Sequence, residues 1–361
     1  MTRSSMLMAT ALTSATLLLL TACGAPTQPG AQPGEPSSTD DSAPWELPVQ
    51  PIEYPLTVVD GSGQERVIEA PFTQIGCLYS GCDEILADLG IQPNATLAGG
   101  DVGPFLYPVG EPTHLIDVAV SPEEWAMSGS DVIIDLSGPI GDDDERALSP
   151  VAPVILLNSP YEVWNPDRVV PGIQAWKEDL WLIGQITDRA AEAAAAIERF
   201  DSFMQGLQAL APEGAKDTQV ANLSADAPGV FSLLDPLSPF CDALRAHELG
   251  ECVNIAGWNP SSWAVNSEAF LDADPEWILY TVYDDADSFA DRDDPVWNQL
   301  TAVKEGNVFD FSRANCCSLR LLQYTLQKYA HHVWGPDSGV PDPGPELSYI
   351  PEDSPVIRSG S

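Results

Sequence analysis

The sequence predicts an α/β protein in two halves joined by one long helix. Two observations carry this expectation. Strand-like apolar runs alternate with helical stretches from about residue 55 to residue 334, the pattern of strands packed between helices. One helical stretch, Asp188–Leu210, is longer than any other and divides that alternation into two comparable parts. No internal repeat at a fixed period is present.

The chain start reads as an export signal. Met1–Leu20 carries one basic residue, Arg3, and then an apolar run ending in LLLL, followed by LTAC and Gly24. Small residues ahead of a cysteine behind a short apolar core read as a lipoprotein signal over 1–22, with Cys23 as the lipidated first residue after cleavage. The run is short and broken by Thr and Ser, too weak for a permanent span. Residues 23–51 are rich in Pro, Gly, Ser and Thr without apolar periodicity, a flexible tether.

The strands are expected at LTVVD, FTQIG, DVIIDL and PVILLN in the first half, and at TQVANL, VFSLLD, EWILYTV and NVFDF in the second. The long helix should start at an N-cap Thr187 and span about 34 Å, with Ala190, Ala194, Ile197 and Phe200 near one face. Gly184 is placed to end the preceding helix, AWKEDLWLI. The resulting division is 52–186 for the first lobe, 187–211 for the connecting helix and 212–336 for the second lobe, with a Pro-rich, irregular tail over 337–361.

Charge excludes one class of partner. The chain has 54 acidic against 15 basic residues, a net charge of −39. Nucleic acid needs a basic face, and anionic lipid would repel this surface, so attachment to a membrane must come from the lipid. The surplus is read as a solvated acidic surface.

Export permits disulfides. Besides Cys23 there are six cysteines: Cys77, Cys82, Cys241, Cys252, Cys316 and Cys317. An even number suggests pairing, with connectivity open. Local pairs, Cys77 with Cys82 and Cys241 with Cys252, are the simplest arrangement. They leave Cys316 and Cys317 as a vicinal pair or two thiols. Soft thiolates from two loops would suit Zn or Cu(I), but the spacing is not that of a CxxC pair and no histidine cluster adjoins them. His331 and His332 sit late in a helix and read as structural.

Several phrases together resemble a known family. PEEWAMSGSDVIIDLSG from Pro122, VNSEAFLDADPEWILY from Val265 and DPVWNQLTAVKEGNVFDFS from Asp294 follow opening strands over residues 55–76. In this order and spacing the chain resembles the iron-siderophore, haem and cobalamin substrate-binding proteins of bacterial ABC importers. The resemblance implies two α/β lobes on a single long interlobe helix, with the ligand cleft between them and small lobe movements. It places the turn IGCLYSGC at the cleft, where a Cys77–Cys82 bridge would hold a preformed edge.

In strand-end loops, Tyr79, Trp164, Arg168, Trp258, Trp263 and Arg313 are the ligand candidates; Arg313 matches a cleft arginine of the family. Aromatic walls and a guanidinium suit a ferric siderophore, which has apolar surface and acceptor oxygens. Haem or cobalamin is the alternative ligand. The resemblance also implies that Glu123 and Glu268, one per lobe, dock on permease arginines; at helix starts both also favour the helix dipole.

The expected partners are thus a small metal chelate, an ABC permease and, through lipid, the extracytoplasmic face of the cell membrane. The protein would act as a monomer with no resident cofactor. A thiol-dependent enzyme or a cysteine metal-binding protein is the reading from another class. No GxSxG, HExxH, Walker loop or CxxC motif supports an enzyme.

Overall fold

The computed structural model describes residues 52–343, except 79, 98–111, 118–120, 138, 159–169, 171, 228–229, 234–237, 256–266, 283–296 and 311–317. A short antiparallel hairpin opens the chain, β1 (Leu56–Val59) with β2 (Glu65–Ile68). Five parallel strands then form the first sheet: β3 (Ile75–Cys77), β4 (Ala95–Leu97), β5 (His114–Ile116), β6 (Val132–Leu136) and β7 (Val154–Leu157). Their spatial order is β5-β4-β3-β6-β7. The helices that precede α5 (Ala190–Leu210) are α1 (Ser80–Asp88), α2 (Pro122–Ser128), α3 (Pro139–Leu148) and α4 (Gly172–Ile186).

The second sheet follows α5 (Ala190–Leu210). It contains β8 (Gln219–Ala227), β9 (Val230–Leu233), β10 (Glu251–Cys252), β11 (Trp277–Val282) and β12 (Val308–Asp310). The order is β10-β8-β11-β12, all parallel, with β9 added antiparallel to β8. Its helices are α6 (Pro239–Ala246), α7 (Ser267–Ala273), α8 (Thr301–Glu305) and α9 (Leu319–Trp334). The chain is therefore α/β with two parallel sheets, as the alternation of runs predicts.

Local chemistry explains the element ends. In α2, Ser121 caps the helix by accepting from the Glu124 N–H at 3.3 Å, Pro122 occupies the first turn, and Gly129 leaves it at φ 69°. Ser318 and Ser238 cap α9 and α6 in the same way, accepting from Leu321 N–H and Cys241 N–H. Between α2, α3 and the first sheet lies a core of Trp125, Ile133, Leu148 and Leu156, each fully buried. Ile278, Leu223, Leu300 and Ala302 form the equivalent core of the second sheet.

Two details of the long helix differ from the sequence expectation. Its N-cap is Arg189, without a side-chain hydrogen bond. The Thr187 hydroxyl instead donates to the Ile183 carbonyl at 2.6 Å, back into α4. Gly184 does not end α4, which runs on to Ile186. It lies where α4 meets α5: a Cβ there would stand 2.6 Å from the Ala193 Cβ. Close packing of two helices, rather than a left-handed cap, is what requires glycine. The buried face of α5 is Ala193, Ala196, Ile197, Phe200, Phe203, Met204 and Leu207. Ala190 and Ala194 are only half-buried.

Other strand boundaries also shift. FTQ of FTQIG stays outside β3, where Thr73 and Gln74 N–H groups donate to the Asp131 carboxylate at 2.8 and 3.0 Å. Strands β2, β4, β5 and β10 have two to four residues, too short to show a period in sequence. The start of the tail is tied down rather than loose. Val340 is buried, its carbonyl faces the His331 Nδ1 at 2.9 Å, and Gln327 donates to the Pro341 carbonyl at 3.0 Å. His332 stacks on Phe309 at 4.8 Å, so both histidines are engaged structurally.

Candidate functional site

Each sheet reverses its direction of growth once. In the first, the chain builds outward from β3 to β4 and β5, then returns to place β6 on the other side of β3. In the second, it goes from β8 to β10 and returns to place β11 on the other side of β8. A crevice opens at the carboxyl ends of the strands flanking such a switch point, the usual ligand site of open α/β sheets. The first switch point is bounded by Cys77 and Leu136, the ends of β3 and β6.

The turn after β3 is held firmly. Cys77 and Cys82 lie at disulfide distance with Cα atoms 5.6 Å apart, both buried. Joined to each other, these sulfurs offer no thiolate to a metal. Cys241 and Cys252 are likewise at disulfide distance, tying α6 to β10. Both local pairs expected from the sequence lie at disulfide distance.

Tyr79, Trp164, Arg168, Trp258, Trp263, Arg313, Cys316, Cys317 and Cys23 lie outside the described residues. Their chain positions are nevertheless informative. Tyr79 follows β3, Trp164 and Arg168 follow β7, Trp258 and Trp263 follow β10, and Arg313 follows β12. Every ligand candidate thus comes after the carboxyl end of a parallel strand.

Glu123 and Glu268 are described, and both are exposed in the first turns of short helices, α2 and α7. These helices occupy matching places: each links two parallel strands, β5 to β6 and β10 to β11. A crossover helix runs back along its sheet, so its N-terminus lies at the strand carboxyl ends. The two glutamates therefore stand towards the strand carboxyl ends of their own sheets.

Sequence reasoning missed the carboxylates that join elements far apart in the chain. Asp242 of α6 accepts from the Ile173 N–H at 3.0 Å, capping α4. Gly172 permits this approach, since a Cβ there would stand 2.6 Å from the Pro239 backbone. Burial raises the Asp242 carboxyl above its ordinary range, while the Ile173 N–H, Arg245 and His247 draw it back. In the other direction, Asp88 of α1 meets the start of α9: Arg320 Nε stands 3.1 Å from Asp88 Oδ1, and the Ser318 hydroxyl and Arg320 N–H also bond to this carboxylate. Burial raises Asp88 as well, with Arg320 opposing.

Asp135, near the end of β6, is a further buried acid. Burial raises it to about 7, and neighbouring Asp144 adds to the rise. One of its oxygens has no hydrogen-bond partner.

Two α/β sheets with parallel strands, each with a switch point, form a fold in which ligands sit beyond the strand carboxyl ends. The sequence matches the family model of periplasmic binding proteins over residues 131–314, about half of the chain. The chain belongs to this family, whose members bind solutes and are not enzymes. No curated protein matches the sequence.

Among solved structures, the siderophore-binding protein BauB, bound to ferric iron and two acinetobactin molecules, is similar with a TM-score of 0.62 at 18% identity, over 77% of this chain and 98% of that one. FeuA from Bacillus subtilis, a triscatecholate siderophore-binding protein complexed with ferri-bacillibactin, gives 0.59 at 16% identity, over 78% and 99%. A periplasmic solute-binding protein from Mycobacterium smegmatis gives 0.60 at 17% identity, over 77% and 97%. At these identities the likeness establishes the fold.

A testable consequence concerns Asp135. A folded value near 7 against an ordinary value of 3.8 means that the folded protein holds a proton the unfolded chain has lost. The stability from this proton is complete below about pH 4 and is lost as pH rises through about 7. Asp135→Asn should flatten that decline, gaining on the order of 1–3 kcal/mol at pH 8 relative to pH 4. Urea unfolding at both pH values measures it; an unchanged decline would refute the assignment.

Proposed function

We propose that this protein is a lipid-anchored receptor for a ferric siderophore that delivers its cargo to an ABC importer. The observation that carries the reading is topological. The aromatic and arginine candidates all follow strand carboxyl ends in a fold shared with two ferric-siderophore complexes. Tyr and Trp faces would cover the apolar flanks of the chelate, and Arg168 and Arg313 would meet its oxygens. The monomer works through 52–186 and 212–336 as lobes, with α5 as the spine that limits their movement. Bending a continuous helix costs backbone hydrogen bonds, so closure is small.

Tryptophan fluorescence of the full chain, titrated with a ferric catecholate, a ferric hydroxamate, haem and cobalamin, tests the ligand. Saturable quenching by a ferric siderophore is expected; saturation by haem or cobalamin alone would overturn it. Trp263→Ala and Arg313→Ala should each weaken binding by about 1–3 kcal/mol if buried against the ligand. Unchanged affinity in both variants removes these residues from the site.

Docking rests on Glu123 and Glu268. Two carboxylates, one per lobe, let a permease sense their separation and hence the loaded shape. A Glu123→Ala, Glu268→Ala double variant should bind ligand normally yet support little uptake. Normal uptake in cells lacking the native copy would rule out the docking role.

Cys23 provides the anchor. Cys23→Ser should move the protein from the membrane fraction to the soluble fraction, and a variant that stays membrane-bound would exclude lipidation at this residue.

A further inference from the structure

Helix α1 turns a face of acids inward. Asp83 and Glu84 are 3% and 5% exposed, and the Asp88 side chain is 5% exposed. The Glu84 Oε2 is sealed from solvent with no hydrogen-bond partner. That oxygen lacks both water and a donor, which disfavours the charged form.

Among the described residues, Arg320 is the one cation whose charge acts on Glu84. From α9, Arg320 faces it but is committed to Asp88 at 3.1 Å. From α5, Arg199 lies close enough to favour the charged form of Asp88. Ser318, ahead of α9, bonds to Asp88 as well. From α4, which also packs on α1, Lys177 pairs with Asp201, Glu178 accepts from Gln174 at 2.8 Å, and Asp179 accepts from the Asn158 N–H at 2.8 Å. Strands β3 and β4 under α1 carry no charged residue. On α1 itself the neighbours of Glu84 are two more acids, Asp83 and Asp88.

We infer that Glu84 and the Asp88–Arg320 pair form a proton-dependent clasp between the lobes, closed while Glu84 carries its proton and loosened when Glu84 ionises. Ionisation puts a second negative charge beside Asp88 and makes it compete for Arg320. The cost falls on the junction of α1 with α9, because these helices supply the two halves of the pair. Both adjoin strand-end segments: α1 begins just after the turn that follows β3, and α9 just after residues 311–317. Loosening therefore acts where both lobes border the crevice.

Burial pushes the Glu84 carboxyl well above its ordinary value, with Asp88 and Asp83 adding and Arg320 opposing. The sign follows. The proton on Glu84 stabilises the junction fully below about pH 4.5, and its benefit is lost as pH rises through the raised folded value.

Hydrogen exchange of the ligand-free full chain at pH 5.5, 7.0 and 8.5, corrected for the intrinsic chemical rate, tests this. Protection in residues 81–89 and 319–324 should fall roughly tenfold or more across that range in the wild type, a shift of about 1.4 kcal/mol per tenfold. In Glu84→Gln the fall should be severalfold smaller, leaving only the share of other buried acids such as Asp135. Level protection in the wild type, or an equal fall in Glu84→Gln, overturns the proposal. Should that variant fail to fold, carboxyl carbon NMR of the wild type decides: a Glu84 midpoint raised above the ordinary glutamate range supports the clasp, and one within or below that range refutes it. No ligand enters either measurement, so the outcome is separate from the proposed cargo.

Discussion

Two helix starts are held by carboxylates from distant parts of the chain. Asp242 on α6 caps the start of α4, and Asp88 on α1 meets the start of α9. Helix N-termini carry unsatisfied N–H groups and partial positive charge, so a carboxylate there meets two needs at once. Removing either would leave a helix start without its acceptor. The described residues from 52 onward belong to one compact unit.

The cysteines reinforce this arrangement from behind. Cys82 sits on α1, one residue before Asp83 and six before Asp88, and is tied to the end of β3. Cys241 sits beside Asp242 on α6 and is tied to β10. Each link thus fixes a helix that reaches across to the other lobe. A rigid base for the caps lowers the ordering cost that binding would otherwise carry. The Cys77–Cys82 link thus joins the end of β3 to the helix that carries Asp88.

Scarce positive charge is spent inside the fold. With 15 basic residues against 54 acidic ones, Arg66 bridges Asp60 and Glu145 at 2.7 Å each, Lys177 joins α4 to Asp201 of α5, and Arg320 serves Asp88. These half-buried pairs cross between elements, where a charge without its partner would be costly. Among the described residues, Asp60, Asp83, Glu84, Asp135 and Asp179 are buried acids. Burial pushes Glu84, Asp88, Asp135 and Asp242 towards the protonated form.

Particular residues show how far the sequence reaches. The runs DVIIDL, PVILLN and EWILYTV announce β6, β7 and β11 because strands buried on both faces must be continuously apolar. Ser121, Pro122 and Gly129 announce α2 because capping is local chemistry. The Cys77–Cys82 and Cys241–Cys252 pairs were legible because each is close in sequence. The two-residue β10 was not, since a parallel pairing with β8 makes it a strand and no period survives in so few positions. Gly184 reads as a helix end in sequence; in the fold it is the point where Ala193 touches α4. Asp88 and Asp242 look like ordinary surface acids among 54. The sequence by itself determined the α/β alternation, the long helix and the local cysteine pairs, all set by interactions within a few residues. Only the tertiary structure decided which acids are buried and which helix each one caps, because those partners are 69 residues apart in one case and on opposite ends of the chain in the other, and nothing in a local pattern encodes a contact that exists only once both lobes have folded.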